Sequence, residues 1–260
     1  MIRALVNGAA GRMGRHVLEA LAAADDMTLA AALEMPGHPR LGDEVAPGVR
    51  LGDDPAKACS QADVAIDFSL PAGTLALLDA AQGAGLPVVI ATTGFDAAGL
   101  ARIESATRAI AIARAPNFSL GVNVLLELVA EAARRLPDYE IEILELHHSG
   151  KRDAPSGTAL RLAERAAQAR DQKLGDLAMT RREGETGPRP HGAIGLQSLR
   201  AGDSVGEHTV FLAGPGERLE LAHRALSRDN FASGALRAAR WLVGRQPGLY
   251  SMRDVLSGSP

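Results

Sequence analysis

The segment that most limits the fold of this chain lies at its start. Ile2-Arg3-Ala4-Leu5-Val6 is a short, largely apolar run that leads into Gly8-Ala9-Ala10-Gly11-Arg12-Met13-Gly14 and then into an Ala- and Leu-rich stretch from Arg15 to Ala24. A strand that breaks on small residues and opens a helix begins a βαβ unit. Met27 to Leu33 supplies the second strand, and Glu34 stands at its end, 20 residues beyond Gly14. The spacing of Gly8, Gly11 and Gly14 is GxxGxxG rather than GxGxxG, and with 28 glycines in the chain the spacing alone says little. Its context says more. Small residues let the main chain approach a pyrophosphate, whose charge then rests on unpaired helix N–H groups, and an acid at the second strand end can accept the ribose hydroxyls. The turn therefore points to a dinucleotide, with Gly8, Ala9, Ala10, Gly11, Arg12 and Met13 around its phosphates and Glu34 on its ribose. Glu34 repels a 2′-phosphate and Met35 offers no cation, which favours NADH over NADPH; His38 and Arg40 are the nearest cations further along.

Val64 to Phe68, Pro87 to Thr92 and Ala109 to Ala113 continue as apolar runs separated by Ala-rich helical stretches, the pattern of a parallel sheet covered on both faces. Ligands of such sheets sit beyond the carboxyl ends of the strands. Two more strand ends are therefore expected at the crevice: Ala91, Thr92 and Thr93, and Ala115, Pro116, Asn117 and Phe118. Their main-chain groups and hydroxyls are expected to hold the nicotinamide amide, with an aromatic bounding its ring. The second half changes character. A helical stretch from Gly121 to Leu136, a strand from Glu140 to Leu146 and a helix from about Thr158 to Arg170 precede three closely spaced strand-like runs, Ile194 to Arg200, Val205 to Leu212 and Arg218 to Ala225. The expected fold class is α/β: an N-terminal Rossmann-like doubly wound parallel sheet, plus a C-terminal α+β domain with a mixed or antiparallel sheet. Arg181 to Gly192 reads as a flexible loop, and a last helical stretch, Asn230 to Val243, suits either domain.

With 46% hydrophobic residues over 260 positions, the chain can build a substantial core, which excludes disordered, collagen-like and coiled-coil classes. A net charge of -3 gives no general attraction to nucleic acid or an anionic membrane and favours a small-molecule partner. Cys59 is the single cysteine, so it forms no intramolecular disulfide and no multi-cysteine zinc site, and it reads as a small core residue. No apolar run approaches the roughly 20 residues of a membrane span, and no basic region leads into a signal-like core. The expected location is the cytoplasm.

The densest chemistry runs from Glu145 to Thr158 and joins a strand to a helix. Alternation puts Ile141, Ile143, Glu145 and His147 on one strand face and His148 on the other, so the two imidazoles have different duties. That separation, the missing HExxH spacing and the lack of a nearby cysteine argue against a metal, and none is expected. Pro155 followed by Ser156, Gly157 and Thr158 opens a helix with free N–H groups and two hydroxyls, a cradle for a carboxylate or phosphate. Lys151 adds a point charge, and with His147, His148 and Arg152 the segment suits an anionic substrate that also receives a proton. A hydride donor would leave the protein to supply orientation, charge complementarity and that proton. No GxSxG nucleophile elbow joins a strand to a helix, the spelling at Gly202 to Gly206 falling between two strand-like runs, and GxxxxGK[ST] does not occur, which disfavours hydrolases and nucleotide triphosphatases. On the residues alone, two other readings stay open. One is a nicotinamide-dependent oxidoreductase acting on an amino-acid-like carbonyl or imine; the other is an NAD(P) sensor, although a sensor has no use for a lysine beside an anion cradle.

Glu145-Leu146-His147-His148, Lys151 and Asp153-Ala154-Pro155-Ser156-Gly157-Thr158-Ala159 resemble the signature of dihydrodipicolinate reductase, also called 4-hydroxy-tetrahydrodipicolinate reductase. The likeness extends to Gly8 through Gly14, Thr92-Thr93-Gly94-Phe95, Asn117-Phe118-Ser119-Leu120-Gly121-Val122-Asn123, Gly206-Glu207-His208-Thr209 and Arg253-Asp254-Val255-Leu256. It implies NAD(P)H-dependent reduction of the dehydrated form of 4-hydroxy-tetrahydrodipicolinate, a cyclic dicarboxylate, to tetrahydrodipicolinate in lysine and diaminopimelate biosynthesis. His147 and Lys151 are then the catalytic residues, Lys151 giving the proton and His147 assisting, while His148, Gly157 and Thr158 hold substrate carboxylates. Ser156 joins these from the helix opening. The resemblance also implies that the last helix returns to the nucleotide domain. Residues 1–118 and 228–260 would form a discontinuous dinucleotide-binding domain, and 119–227 a substrate-binding and oligomerisation domain whose sheets build a homotetramer. Two positions depart from the pattern: Met35 stands where some relatives carry Arg, and Ala91 where Gly is common, a change without effect where only the main chain is used.

Overall fold

The computed structural model describes residues 1–258. Strand β1 (Ile2–Asn7) runs through the glycine turn into α1 (Arg12–Ala22), which starts at Arg12 rather than Arg15 because extended Gly11 already serves as its N-cap. Then come β2 (Met27–Leu33), β3 (Glu44–Ala46), β4 (Val49–Gly52), α2 (Pro55–Cys59), β5 (Val64–Asp67), α3 (Pro71–Ala84), β6 (Val88–Ile90), α4 (Ala97–Ala106) and β7 (Ala111–Arg114). Next are α5 (Leu120–Arg135), β8 (Glu140–His147), α6 (Gly157–Gln168), α7 (Leu174–Leu177), β9 (Ala178–Met179), β10 (Ile194–Arg200), β11 (Gly206–Gly214) and β12 (Glu217–Ala225). The described chain ends with α8 (Asp229–Leu242), β13 (Gly248–Tyr250) and α9 (Met252–Ser257).

Two compact units result: Met1–Leu120 together with the chain from Arg228 on, and Gly121–Ser227. The break comes after Leu120 rather than Phe118, because Leu120 also packs against the core of the first unit.

The first unit is built on an eight-stranded sheet ordered β13-β7-β6-β5-β1-β2-β4-β3. It is parallel apart from the β3–β4 edge pair. Strand order reverses between β1 and β5, and a ligand crevice opens at such a reversal. Val17 and Leu21 of α1 with Ala232, Leu236 and Ala239 of α8 cover one face, and Leu77 and Leu78 of α3 with Ile103 of α4 cover the other. Burial on both faces explains why Val64 to Ile66 is apolar without alternation. Cys59 is buried on the second face, and burial pushes its thiol up to about 11, so it is an inert core residue. Helix α8 lies so close to the chain below that a Cβ on Gly234 would sit 1.8 Å from the Phe118 carbonyl oxygen.

The second unit has a five-stranded mixed sheet, β12-β11-β8-β10-β9, in which β8 pairs antiparallel with β11 and parallel with β10. Leu125 and Val129 of α5 and Leu162 and Ala166 of α6 pack on Ile141, Ile143, Leu196, Val210 and Leu212. One imidazole shares that covered face. His208 is 3% exposed, with its Nε2 3.1 Å from the Ser156 hydroxyl. Among the described residues no helix is long and apolar enough to cross a membrane.

Gly234→Ala is expected to lower stability by about 1–3 kcal/mol through this overlap, read from the urea midpoint. Gly83→Ala, in α3 where a Cβ meets nothing within 4 Å, is expected to raise it by roughly 0.5–1 kcal/mol. His208 gives a pH dependence. Burial, with His147 nearby, pushes its imidazole down to about 4, against 6.5 for a free histidine. Between those values the unfolded chain binds more protons than the folded one, so stability falls as pH drops through that window. His208→Gln should flatten part of that loss in thermal unfolding scanned between about pH 7 and about pH 4.

Candidate active site

At the strand reversal of the first unit, Gly8 takes φ +77, and a Cβ there would lie 2.6 Å from the Phe68 carbonyl oxygen. On Gly14 it would lie 2.2 Å from the Gly8 oxygen and 2.7 Å from the Ala9 main chain. The turn closes only with hydrogen at these positions. It borders a cleft of about 660 Å³ whose lining includes Gly8, Ala10, Gly11, Glu34, Met35 and His38. Glu34 reaches across the turn, its Oε1 accepting the Ala10 N–H at 3.0 Å and its Oε2 the Met35 N–H at 3.2 Å. Among the described residues no lysine or arginine lines this cleft, and Arg40 is engaged with Asp43 at 2.9 Å. A narrow glycine turn, a helix start and a carboxylate beside an open cleft fit a dinucleotide. Arg12 and Met13 open α1, Ala9 is buried at 1% exposure, and none of the three lines the cleft.

The later strand ends differ in part from expectation. Thr92 is buried, and its hydroxyl donates to Asp67 Oδ2 at 2.8 Å, so that hydroxyl is committed within the protein. Asp67, fully buried, also accepts from Asn7 Nδ2 at 2.8 Å, Ser69 Oγ at 2.6 Å and Thr74 Oγ1 at 2.6 Å. Burial raises its pKa against the pull of these neutral donors. Phe118, at 2% exposure, is a core residue with its ring 6.4 Å from that of Phe68, and it is not free to bound a ligand ring. Ala115 is buried as well; Thr93 and Pro116 are exposed, Ala91 and Asn117 half-buried, with Asn117 Oδ1 accepting the Ser119 N–H at 2.8 Å. Asp67 passed unnoticed in the sequence. Its signal was an acid ending an otherwise apolar strand and followed by hydroxyls.

In the second unit the alternation of β8 holds to its end: Ile141, Ile143 and Glu145 are buried, and His147 Nδ1 donates to Glu145 Oε2 at 2.5 Å. Arg200, at the end of β10, grips the same carboxylate with Nη1 on Oε2 at 2.9 Å and Nη2 on Oε1 at 2.8 Å. Burial raises the Glu145 carboxyl, but the Arg200 fork and hydrogen bonds from Ser198 and His147 outweigh it and bring the group down to about 2. Lys151 Nζ donates to the Asp153 carboxylate at 2.8 and 2.9 Å. His148 donates its main-chain N–H to Ser204 O at 2.8 Å and is half-buried.

Ser156 departs from expectation. At 2% exposure it turns inward: its N–H donates to Glu145 Oε1 at 3.2 Å, its Oγ accepts the Ala159 N–H at 3.2 Å as the α6 cap, and the same Oγ meets His208. Gly157 is exposed and Thr158 half-buried at the opening of α6. Glu145, Arg200, Gly206 and His208 were not singled out as site residues. Glu145 stands two residues from His147 on one strand face, a local signal, whereas Arg200 meets it only through strand pairing. Gly206 makes room for the imidazole, since a Cβ there would lie 2.8 Å from His147 Nε2. One described cluster has metal-ligand geometry, His16, Glu19 and Asp229, and it lies in the first unit away from these residues in sequence.

The family models described as dihydrodipicolinate reductase, N-terminus and C-terminus, match residues 2–118 and 121–256. A protein of Thiobacillus denitrificans named 4-hydroxy-tetrahydrodipicolinate reductase is 49% identical over 262 residues, 98% of each chain. One of the same name from Nitrosomonas europaea is 48% identical over 258 residues, 96% of each. Among solved structures, a dipicolinate-bound dihydrodipicolinate reductase from Paenisporosarcina sp. TG-14 superposes with a TM-score of 0.80 at 24% identity, over 96% of this chain and 97% of that one. A probable dehydrogenase from Thermotoga maritima follows with a TM-score of 0.63 at 15% identity, over 98% and 92%. With both family models matched along nearly the whole chain and relatives at 48–49% identity from end to end, the chain belongs to the dihydrodipicolinate reductase family of oxidoreductases.

Proposed function

We propose that the chain reduces the dehydrated form of 4-hydroxy-tetrahydrodipicolinate to tetrahydrodipicolinate with NAD(P)H, using the Glu145 to Thr158 strand end as its substrate site. The observation that carries this reading is the company kept at that strand end. A histidine held by a buried carboxylate and a lysine beside a helix opening suit a dianionic ring that gains a proton. A reduced nicotinamide, when bound, would supply a hydride to one carbon of the unsaturated ring. The electron pair released settles on the neighbouring carbon, and Lys151 delivers the proton there. His148 and the N–H groups of Gly157 and Thr158 hold the two carboxylates, while His147 orients charge beside the lysine. Ser156 shapes the helix opening from inside rather than touching the substrate, because its N–H and hydroxyl already have partners.

Gly8, Ala10, Gly11 and Glu34 hold the dinucleotide in this reading, with Ala9, Arg12 and Met13 backing the turn. Main-chain groups of Ala91, Thr92, Thr93, Ala115, Pro116 and Asn117 meet the nicotinamide end. NADH is the favoured donor, since Glu34 and Asp53 line the cleft without a lysine or arginine to balance a 2′-phosphate. Residues 1–118 and 228–260 act as the nucleotide domain, residues 119–227 as the substrate and assembly domain. Leu199, which is exposed, and Leu144 and Phe211, which the second unit only partly buries, support homotetramer formation through that sheet. The cytoplasm is the expected setting.

Loss of reduced-nicotinamide absorbance, with substrate generated in place from pyruvate and aspartate semialdehyde, tests the reaction. Cofactor that binds without being consumed would overturn it. Lys151→Ala is expected to lower kcat by about a hundredfold or more while the Kd for cofactor changes less than about twofold. Met35→Arg is expected to raise the NADPH to NADH ratio of kcat/KM by about tenfold, the worth of one charge-assisted contact; an unchanged ratio places Met35 away from the ribose.

A further inference from the structure

Arg200 touches the partners of both proposed catalytic residues. Its fork holds Glu145, which holds His147, and its Nη2 also donates to the Asp153 carbonyl oxygen at 2.7 Å, while the Asp153 carboxylate holds Lys151. A carboxylate at 1% exposure that stays ionised needs its charge compensated, here by a cation beside it. Two are within reach: the guanidinium, which is always charged, and the imidazole, which is charged only if it takes up a proton.

We propose that Arg200 is a positioning residue that satisfies the Glu145 charge so that His147 works as a neutral imidazole, its Nδ1–H on Glu145 and its Nε2 left as the acceptor. This rests on the reading of His147 and Lys151 as the catalytic pair. The groups facing His147 decide the matter. Glu145 comes from its own strand, Arg200 from β10, Lys151 from the following loop, where it is paired with Asp153, and His208 from β11, its ring edge-on at a centroid distance of 5.3 Å. Among the described residues Glu145 is the one carboxylate in direct contact, and the fork already balances it. A proton on His147 would add a second cation beside Arg200, near Lys151, where all three side chains are mostly covered. Burial lowers the His147 pKa first, Glu145 opposes, and Lys151 and Arg200 lower it further. With its only N–H turned to Glu145, neutral His147 has no proton to offer at Nε2, and donation falls to Lys151. The two residues then divide the work. Without the guanidinium, the buried Glu145–His147 pair would retain a proton of its own to higher pH.

Imidazole nitrogen NMR of the full chain, with kcat and KM on the same samples, tests this. In the wild type at neutral pH, His147 should show the neutral Nδ1–H tautomer. Arg200→Gln should move its protonation midpoint up by at least about one pH unit and lower kcat by at least about tenfold, with KM for the cofactor unchanged. Arg200→Lys, which restores the charge without the fork, should return the midpoint and only part of kcat. A midpoint that does not move in Arg200→Gln overturns the proposal, and so does an imidazolium His147 in the wild type, a measurement that needs no variant to fold. A wild type with neutral His147 that consumes no cofactor supports the charge assignment and overturns only the functional reading beneath it.

Discussion

Glu145 has almost no contact with water, and the strand end around it is arranged to hold a charge there. An isolated carboxylate in that position would be neutralised or would destabilise the fold. Arg200 meets it with two parallel N–H bonds, His147, Ser198 and the Ser156 N–H add further bonds, and the group stays ionised. Because these partners come from the end of β8, the end of β10 and the start of α6, one ion fixes three elements at a point. Removing one partner from such a pair typically costs about 3–5 kcal/mol, so the stability of the unit and the geometry of its candidate site depend on the same contacts.

The first unit solves a similar problem differently. Asp67 is as buried as Glu145 but faces an amide and three hydroxyls instead of a cation. Neutral donors satisfy its oxygens without compensating its charge, and its pKa rises where that of Glu145 falls. These bonds tie the ends of β1, β5 and β6 together around the crevice. Gly8 lets the chain after β1 pass within contact of Phe68 after β5. The shape of the crevice is thus set by hydrogen bonds and close main-chain approach, and that of the second site by charge.

What could be read from the sequence follows the range of each interaction. The glycine turn, Glu34, the parallel strands of the first half and the Glu145 to Thr158 segment all announce themselves within a few residues, through turn chemistry, periodicity and clustering. Arg200 gives no such signal, being 55 residues from Glu145 and joined to it by strand register alone. Ser156 looked like an anion ligand because a helix opening with a hydroxyl has the same local pattern whether the hydroxyl points out or in. His208 on β11, across the sheet, decides that it points in. Thr92 misled for the same reason, since its partner Asp67 lies on a neighbouring strand. The short β3–β4 hairpin and β13, with few residues and little alternation, carry almost no periodic signal.

The path of the chain has a consequence for its birth. The first sheet is left at Leu120 and finished only when α8 covers one of its faces and β13 pairs with β7, after the whole second unit has been threaded. Translation at the usual pace leaves an interval on the order of ten seconds between those events. Throughout it, the face of the nascent sheet that Ala232, Leu236 and Ala239 will later cover presents apolar surface with no intramolecular partner. The second unit, by contrast, is continuous in sequence and can close as soon as β12 emerges. Vectorial synthesis thus favours an order in which the later-made unit completes first, and the earlier-made one stays open to chaperones until α8 and β13 have emerged.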